Sequence, residues 1–174
     1  RLDPIAPEEI AALSLKGALD HLQPVLQAVS DIRAALPAET TLLGFCGAPW
    51  TVATYMVAGR GTPDQAPTRI FSHRYRAEFR ALIEILTEMS IDYLSAQIEA
   101  GADAVQVFDS WSGILGEADF VAFCLEPMKR IAAGVKARHP GTPVIGFPKG
   151  ASLHYQRYVR ETGIDCVGLD WTFP

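Results

Sequence analysis

Four short apolar runs recur along the chain, and a stretch long enough for a helix separates each run from the next. The runs are almost continuous in Val, Ile, Leu and Phe instead of alternating with polar residues, which is typical of strands covered on both faces. Parallel strands need crossovers of about a dozen residues or more, and the intervening stretches provide them. We therefore predict parallel strands at residues 41–46, 103–108, 142–147 and 165–170.

The clearest helical pattern lies between the first two runs. Apolar residues recur at spacings of three and four over residues 72–100, which places them on one helical face. Ser72 is predicted to cap the start of this helix, and Gly101 is predicted to end it.

Other stretches between the runs also predict helices. Residues 117–138 form the second, with a bend at Pro127 because proline removes a backbone donor and clashes with the preceding turn. Residues 153–162 form the third. Residues 7–36 predict one or two helices, divided near Pro24.

This alternation fits an open doubly wound sheet or part of a (β/α)8 barrel. No Gly-x-Gly-x-x-Gly turn follows any predicted strand, which removes the best support for a dinucleotide-binding fold. A full barrel needs about 250 residues, so four strand-helix units in 174 residues amount to half of one. We predict an α/β fold, a partial (β/α)8 TIM barrel, with residues 1–174 as a single domain.

Composition and charge argue against several classes of function. The net charge is −5 and the basic residues are scattered, which disfavours a nucleic-acid surface. No apolar run approaches the ~18 residues of a membrane span, and no charged-then-apolar leader opens the chain. We expect a soluble cytoplasmic protein.

The cysteines are odd in number and widely spaced, so we expect buried free thiols at Cys46, Cys124 and Cys166.

Both ends of the sequence indicate a longer parent chain. The first residue is Arg1 instead of Met, and Pro174 directly follows an apolar run. We expect both ends to be cuts.

Each predicted strand ends in aromatic, polar or glycine residues. In (β/α)8 barrels the functional residues gather at these carboxyl ends and in the loops that follow. The four segments are FCGAPW at 45–50, FDSWSG at 108–113, FPKG at 147–150 and DWT at 170–172.

One longer motif resembles a known family. The 16 residues GFCGAPWTVATYMVAG at 44–59 resemble an internal signature of uroporphyrinogen decarboxylases, and residues 100–110 and 167–172 resemble two further family segments in the same order. The resemblance covers nearly the whole chain but only the middle of the family's longer sequence. The amino-terminal arginines, the aspartate that contacts the pyrrole nitrogens and the carboxyl-terminal histidine have no counterpart here.

The resemblance implies a specific activity for the parent protein. The family removes the four acetate carboxyl groups of uroporphyrinogen III, giving coproporphyrinogen III for porphyrin and haem biosynthesis. It uses neither a metal nor a cofactor and is commonly a homodimer. Because the principal proton-handling groups would lie outside residues 1–174, we expect the isolated chain to have little or no activity.

The resemblance also selects candidate site residues. Tyr55 matches a tyrosine near the substrate and is the catalytic and substrate-binding candidate, although a tyrosine in a short helix is often a core residue. Ser110 would bind a substrate carboxylate, although a serine in such a turn is usually a local cap. Phe45 and Phe108 match phenylalanines that line the macrocycle pocket, and ordinary barrel packing would also explain them.

Other polar residues at the strand ends have weaker claims. Arg60, in a glycine turn after the signature, could reach a carboxylate or simply face solvent. Lys149 is a possible ligand only. Asp109 and Asp170 are expected to orient loops instead of carrying protons, and Trp50 is expected to be structural.

Two alternative functions stay open. Zinc-dependent corrinoid or thiol methyltransferases share the fold, but they need converging histidine and cysteine ligands, and no His-x-Cys pair occurs here. The other alternative is a non-catalytic half-barrel fragment.

Overall fold

The computed structural model describes residues 3–171 and 173 and contains one parallel sheet covered by helices on one face. The strands lie in sheet order β1-β2-β3-β4, as expected when each crossover returns the chain to the next position. The alternating α/β fold and its partial-barrel character are therefore confirmed. The strands are β1 Leu43–Gly47, β2 Ala104–Asp109, β3 Val144–Pro148 and β4 Cys166–Val167.

The two faces of the sheet differ in what covers them. In β2, Val105, Val107 and Asp109 are buried beneath the helices, whereas the alternate residues Gln106 and Phe108 are only half-buried. Side chains alternate along a strand, so the second set points to the opposite face, which we call the inner face.

The helices fill the crossovers between strands. They are α1 Ala18–Ala35, α2 Pro49–Ala58, α3 Ala66–Arg74, α4 Arg76–Glu99, α5 Glu117–Phe120, α6 Glu126–Arg138 and α7 Tyr155–Thr162. A π-helical segment, Val121–Leu125, joins α5 to α6 directly before Pro127, so the interruption predicted at this proline is present. None of the helices within the described ranges is long and apolar enough to cross a membrane.

The long predicted helix is divided in two, and Ser72 does not cap it. Ser72 lies inside α3 and its hydroxyl donates to the Arg69 carbonyl, while the break falls at Tyr75, whose backbone leaves the helical region. Phe71 and Phe79 would be about 12 Å apart along one continuous helix. The break brings their ring centroids to 6.1 Å, so both rings join the core.

The prediction of a division near Pro24 was wrong. Pro24 lies inside α1 on its exposed side, where water can bond the carbonyl that proline leaves without a donor. The chain is divided instead at Gly17, which has a positive φ of 75° before α1 begins.

The fourth strand and one cysteine also differ from expectation. β4 pairs with β3 only over Cys166–Val167, which is shorter than the predicted strand at 165–170. Cys46 and Cys124 are buried free thiols as expected, but Cys166 is exposed because it lies in this short edge strand.

Candidate functional site

The loops after the strands form a continuous rim at the carboxyl end of the sheet. The first two loops are joined by three hydrogen bonds from the signature segment: the Ala48 amide donates to the Phe108 carbonyl (2.9 Å), and Trp50 Nε1 donates to the Trp111 carbonyl (3.0 Å). The Thr51 hydroxyl donates to the Asp109 carboxylate at 2.8 Å. The start of α2 is therefore fixed to the turn that follows β2.

The second and third loops meet equally closely. The Ser112 hydroxyl lies 3.1 Å from the carbonyl oxygens of both Asp109 and Lys149, and the Gly113 amide donates to the Lys149 carbonyl. A Cβ on Gly113 would lie 2.6 Å from the Gly150 carbonyl oxygen, so only glycine permits this approach.

The fourth loop is attached through Asp170. Its carboxylate accepts hydrogen bonds from the Gly150 amide and from the Tyr155 hydroxyl. Burial and the Asp170 charge together raise the pKa of Tyr155 to about 12, so this hydroxyl stays protonated and continues to donate. Asp170 thus orients two loops, whereas Thr172, the last residue of the predicted strand-end segment, lies outside the described residues.

Tyr55 lies on α2 and faces the rim. Its side chain is 37% exposed, and Trp111 Nε1 approaches its hydroxyl oxygen at 3.4 Å. Since the Trp111 N–H is the donor in this contact, the tyrosine proton stays available to a further acceptor. Ser110, directly before Trp111, is half-buried in the same turn.

Three phenylalanine rings form a row across the inner face. Phe45 and Phe108 meet edge to face with centroids 5.8 Å apart, and Phe108 meets Phe147 at the same distance. Phe147 is paired with Phe108 in the β-ladder. The row is an apolar wall beside the rim, and Phe45 is 60% exposed on it.

Asp109 points away from this wall, into the helix-covered side. Burial raises the pKa of its carboxyl to about 6, although hydrogen bonds from the Cys124 thiol, the Thr51 hydroxyl and the Trp111 amide act in the opposite direction. Its bonding partners belong to α2, the β2 turn and the π-helical segment. The carboxyl therefore holds three elements together beneath the rim.

The two basic candidates, Arg60 and Lys149, lie beside the rim. Arg60 is exposed after Gly59, which ends α2 with a positive φ of 63°. Lys149 Nζ lies over the Trp171 ring, 5.1 Å from its centroid. Within residues 3–171 and 173, no group of three His, Cys, Asp or Glu side chains could hold a metal ion.

Comparison with known proteins identifies the family of the chain that carries this rim. The family model described as uroporphyrinogen decarboxylase (URO-D) matches residues 2–174. The chain belongs to the uroporphyrinogen decarboxylase family. Its alternating strands and helices are consistent with a partial TIM barrel of that family.

Several curated relatives carry the same name. A Sinorhizobium fredii protein named uroporphyrinogen decarboxylase is 57% identical over 174 residues, covering 100% of this chain and 51% of the relative. Proteins of that name from a Chelativorans species and from Agrobacterium fabrum are each 53% identical over 173 residues, covering 99% of this chain and 51% and 50% of the relatives. The chain spans about half the length of the curated relatives it matches.

Two residues of the arrangement were not singled out from the sequence. Phe147 continues the aromatic wall, and its position at the end of an apolar run, like those of Phe45 and Phe108, was an available signal. Gln97 bonds the backbone of Phe45 from α4. Nothing in the local pattern of a helical glutamine indicates a contact 52 residues away.

Proposed function

We propose that residues 1–174 are the central part of a uroporphyrinogen decarboxylase whose amino- and carboxyl-terminal catalytic segments lie outside this chain. The observation that carries the proposal is the match of the whole chain to proteins of that name. The rim and the aromatic wall support it, since a large apolar ring with charged substituents needs both surfaces.

The reaction proposed for the longer protein is removal of the four acetate carboxyl groups of uroporphyrinogen III to give coproporphyrinogen III. Protonation of a pyrrole carbon lets the ring accept the electron pair that is released when the carbon–carbon bond to carbon dioxide breaks. A proton then adds to the side-chain carbon that lost the carboxyl group, and the pyrrole carbon releases the proton it had taken up, which restores the pyrrole. The substrate is therefore its own electron sink, and the reaction needs no metal or cofactor. The protein has to position the ring and stabilise charge.

The described residues supply one part of that task. The Tyr55 hydroxyl and the Ser110 hydroxyl would donate hydrogen bonds to substrate carboxylates. Hydrogen bonds to a carboxylate are charge-assisted and belong to the stronger class of hydrogen bond. Phe45 and Phe108, extended by Phe147, would pack against the macrocycle. The principal proton donor and the acceptor for the pyrrole N–H groups would come from the remaining half.

The setting of the longer protein is part of the same proposal. We infer a cytoplasmic homodimer acting in porphyrin and haem biosynthesis, with a small-molecule substrate and without nucleic-acid or membrane partners. The family resemblance supports this setting. Size-exclusion chromatography with light scattering on a family-length protein measures the dimer directly.

The function is tested with a family-length protein, in which these 174 residues replace the matched segment of the Sinorhizobium fredii relative. Anaerobic incubation with uroporphyrinogen should yield coproporphyrinogen, whereas the isolated 174-residue chain should yield little or none. A folded family-length protein without turnover would contradict the proposed activity. Robust turnover by the isolated chain would contradict the division of the catalytic groups.

Two substitutions at the rim test the site. In the family-length protein, Tyr55→Phe and Ser110→Ala should each lower kcat/KM by about ten- to a hundredfold, the range expected for one hydrogen bond to a charged group. Steady-state kinetics measure the loss, and thermal unfolding should show both variants folded. Tyr75→Phe, between α3 and α4, is the matched control and should leave kinetics unchanged, because its ring packs against Phe71 on the helix-covered side. Unchanged kinetics in both rim variants would reject these sites.

A further inference from the structure

Trp111 uses all three of its polar groups to contact neighbouring residues of the rim. Its backbone amide donates to the Asp109 carboxylate, and its backbone carbonyl accepts from Trp50 Nε1 at 3.0 Å. Its side-chain N–H points at the Tyr55 hydroxyl oxygen, 3.4 Å away. The four residues lie in the signature segment or in the turn after β2, so this set of contacts is built entirely from two adjacent segments.

Trp111 thereby contacts α2 at two points. Trp50 lies in the first turn of this helix and Tyr55 five residues later, which is about 7.5 Å along the helix axis. The backbone of Trp111 is bonded at the first point, while its indole reaches the second. The indole also packs against the buried core. Its N–H is therefore held in a defined place relative to the Tyr55 hydroxyl.

The indole N–H decides which way the Tyr55 proton points. A phenolic oxygen accepts one hydrogen bond while its own proton donates another, and that proton lies close to the ring plane on one of two sides. Because Trp111 approaches the oxygen as a donor, the Tyr55 proton is directed to the other side. The Tyr55 ring is itself restrained, since a Cβ on Gly61 would lie 3.5 Å from its Cε1.

We propose that Trp111 is a positioning residue that directs the Tyr55 hydroxyl proton toward a substrate carboxylate. Hydrogen bonds in a chain polarise one another, so the indole donor also strengthens the bond that the Tyr55 hydroxyl gives. The 3.4 Å separation is long for an N–H···O bond, and such contacts commonly shorten when the substrate binds. The positioning role rests on the proposed function, because it requires Tyr55 to bind the substrate. The contact between Trp111 and Tyr55 stands without it.

A double-mutant cycle tests whether Trp111 acts through Tyr55. In the family-length protein, Trp111→Phe keeps an aromatic ring but removes the N–H, and it should lower kcat/KM by about three- to tenfold, the effect of one hydrogen bond between uncharged groups. In the Tyr55→Phe background the same substitution should change kcat/KM by no more than about 1.5-fold, because the oxygen through which it acts is already absent. In the Ser110→Ala background it should keep its full effect.

The two backgrounds separate positioning of Tyr55 from a general disturbance of the turn after β2. An equal loss in the parent and in Tyr55→Phe would overturn the proposal, as would an unchanged kcat/KM in folded Trp111→Phe. A loss that disappears only in Ser110→Ala would mean that Trp111 acts through Ser110, which also overturns it. Thermal unfolding confirms that each variant is folded, and Trp111→Leu replaces Trp111→Phe throughout if the latter does not fold.

A second measurement does not depend on activity. In the nuclear magnetic resonance spectrum of protein labelled with nitrogen-15 at the tryptophan indoles, Tyr55→Phe should shift the Trp111 N–H signal, because it removes the oxygen and keeps the ring. The signal is assigned by its absence from the Trp111 variant. Tyr75→Phe is the matched control and should leave it in place, since Tyr75 packs against Phe71.

The resonance distinguishes failure of the inference from failure of the proposed function. An unshifted Trp111 signal in folded Tyr55→Phe would overturn the contact, whatever the kinetics. A folded parent protein without turnover would contradict the proposed function and, with it, the positioning role. The shift would then still decide whether the Trp111 indole donates to Tyr55.

Discussion

Replacing Trp50 by alanine is expected to lower the free energy of unfolding of the family-length protein by about 3–5 kcal/mol, the usual cost of removing a large aromatic core residue. Trp50 is 0% exposed and packs against two rings that also contact each other, with centroid distances of 5.8 Å to Phe79 and 6.1 Å to Phe123. Its Nε1 donates to the Trp111 carbonyl, which would lose this partner. Denaturant unfolding followed by circular dichroism measures the change.

An exposed apolar residue away from both ends of the chain provides the control. Ile70 is 63% exposed on α3, so Ile70→Ala should change the unfolding free energy by no more than about 0.5 kcal/mol. Trp50→Phe keeps a ring but loses the hydrogen bond, so its loss should fall between the two. Equal losses for Trp50→Ala and Ile70→Ala would show that the Trp50 cluster does not stabilise the fold.

The sequence predicted a structural role for Trp50 but not the residues against which it packs. Pro49 begins α2 and Gly59 ends it, and both residues have clear local reasons to be there. Which face of α2 is buried depends instead on distant partners such as Phe123, more than 70 residues along the chain. The sequence predicts the helix and separates a structural Trp50 from a functional Tyr55, and the packing adds which rings bury Trp50.

The same division applies to the sheet and its crossovers. The parallel strands could be predicted because burial on both faces makes each run apolar, a requirement that acts at every position of the run. The break at Tyr75 could not, because no proline or glycine causes it. It depends on Phe71 and Phe79 both reaching one core, which is a property of the assembled layers. Likewise, α1 tolerates Pro24 because this residue is exposed, and the presence of a proline does not by itself predict whether the position is exposed.

At the rim, the residue types predicted which segments form the site, but they did not predict which way each side chain points. Aromatic and polar residues at the strand ends were identified as candidates, and the loops that carry them are joined by hydrogen bonds. Strand alternation alone, however, puts Phe108 and Asp109 on opposite faces. The sequence prediction that Asp109 orients loops agrees with its direction toward the helices, and it leads to a second stability prediction.

The buried carboxyl of Asp109 should make stability fall as pH rises. Its pKa is raised from an ordinary value of 3.8 to about 6 in the folded protein, chiefly by burial. Between these values the folded state binds more protons than the unfolded state, so the unfolding free energy decreases with pH. The stabilisation is fully present below about pH 4 and is lost above about pH 6, a change of about 3 kcal/mol for a shift of this size.

Asp109→Asn removes the titration while keeping a side chain of the same shape that can still accept from Thr51. Measured from pH 4 to pH 7 in the family-length protein, the unfolding free energy of the variant should gain about 3 kcal/mol relative to the parent. Asp165→Asn is the matched control, because Lys136 holds the pKa of that exposed carboxyl below its usual range. The unfolding free energy of Asp165→Asn relative to the parent should instead rise as the pH falls, and this change should occur below pH 4. A difference between parent and Asp109→Asn that does not vary with pH would mean that the Asp109 carboxyl has no raised pKa, and that the rim is held together without the cost of ionising a buried acid.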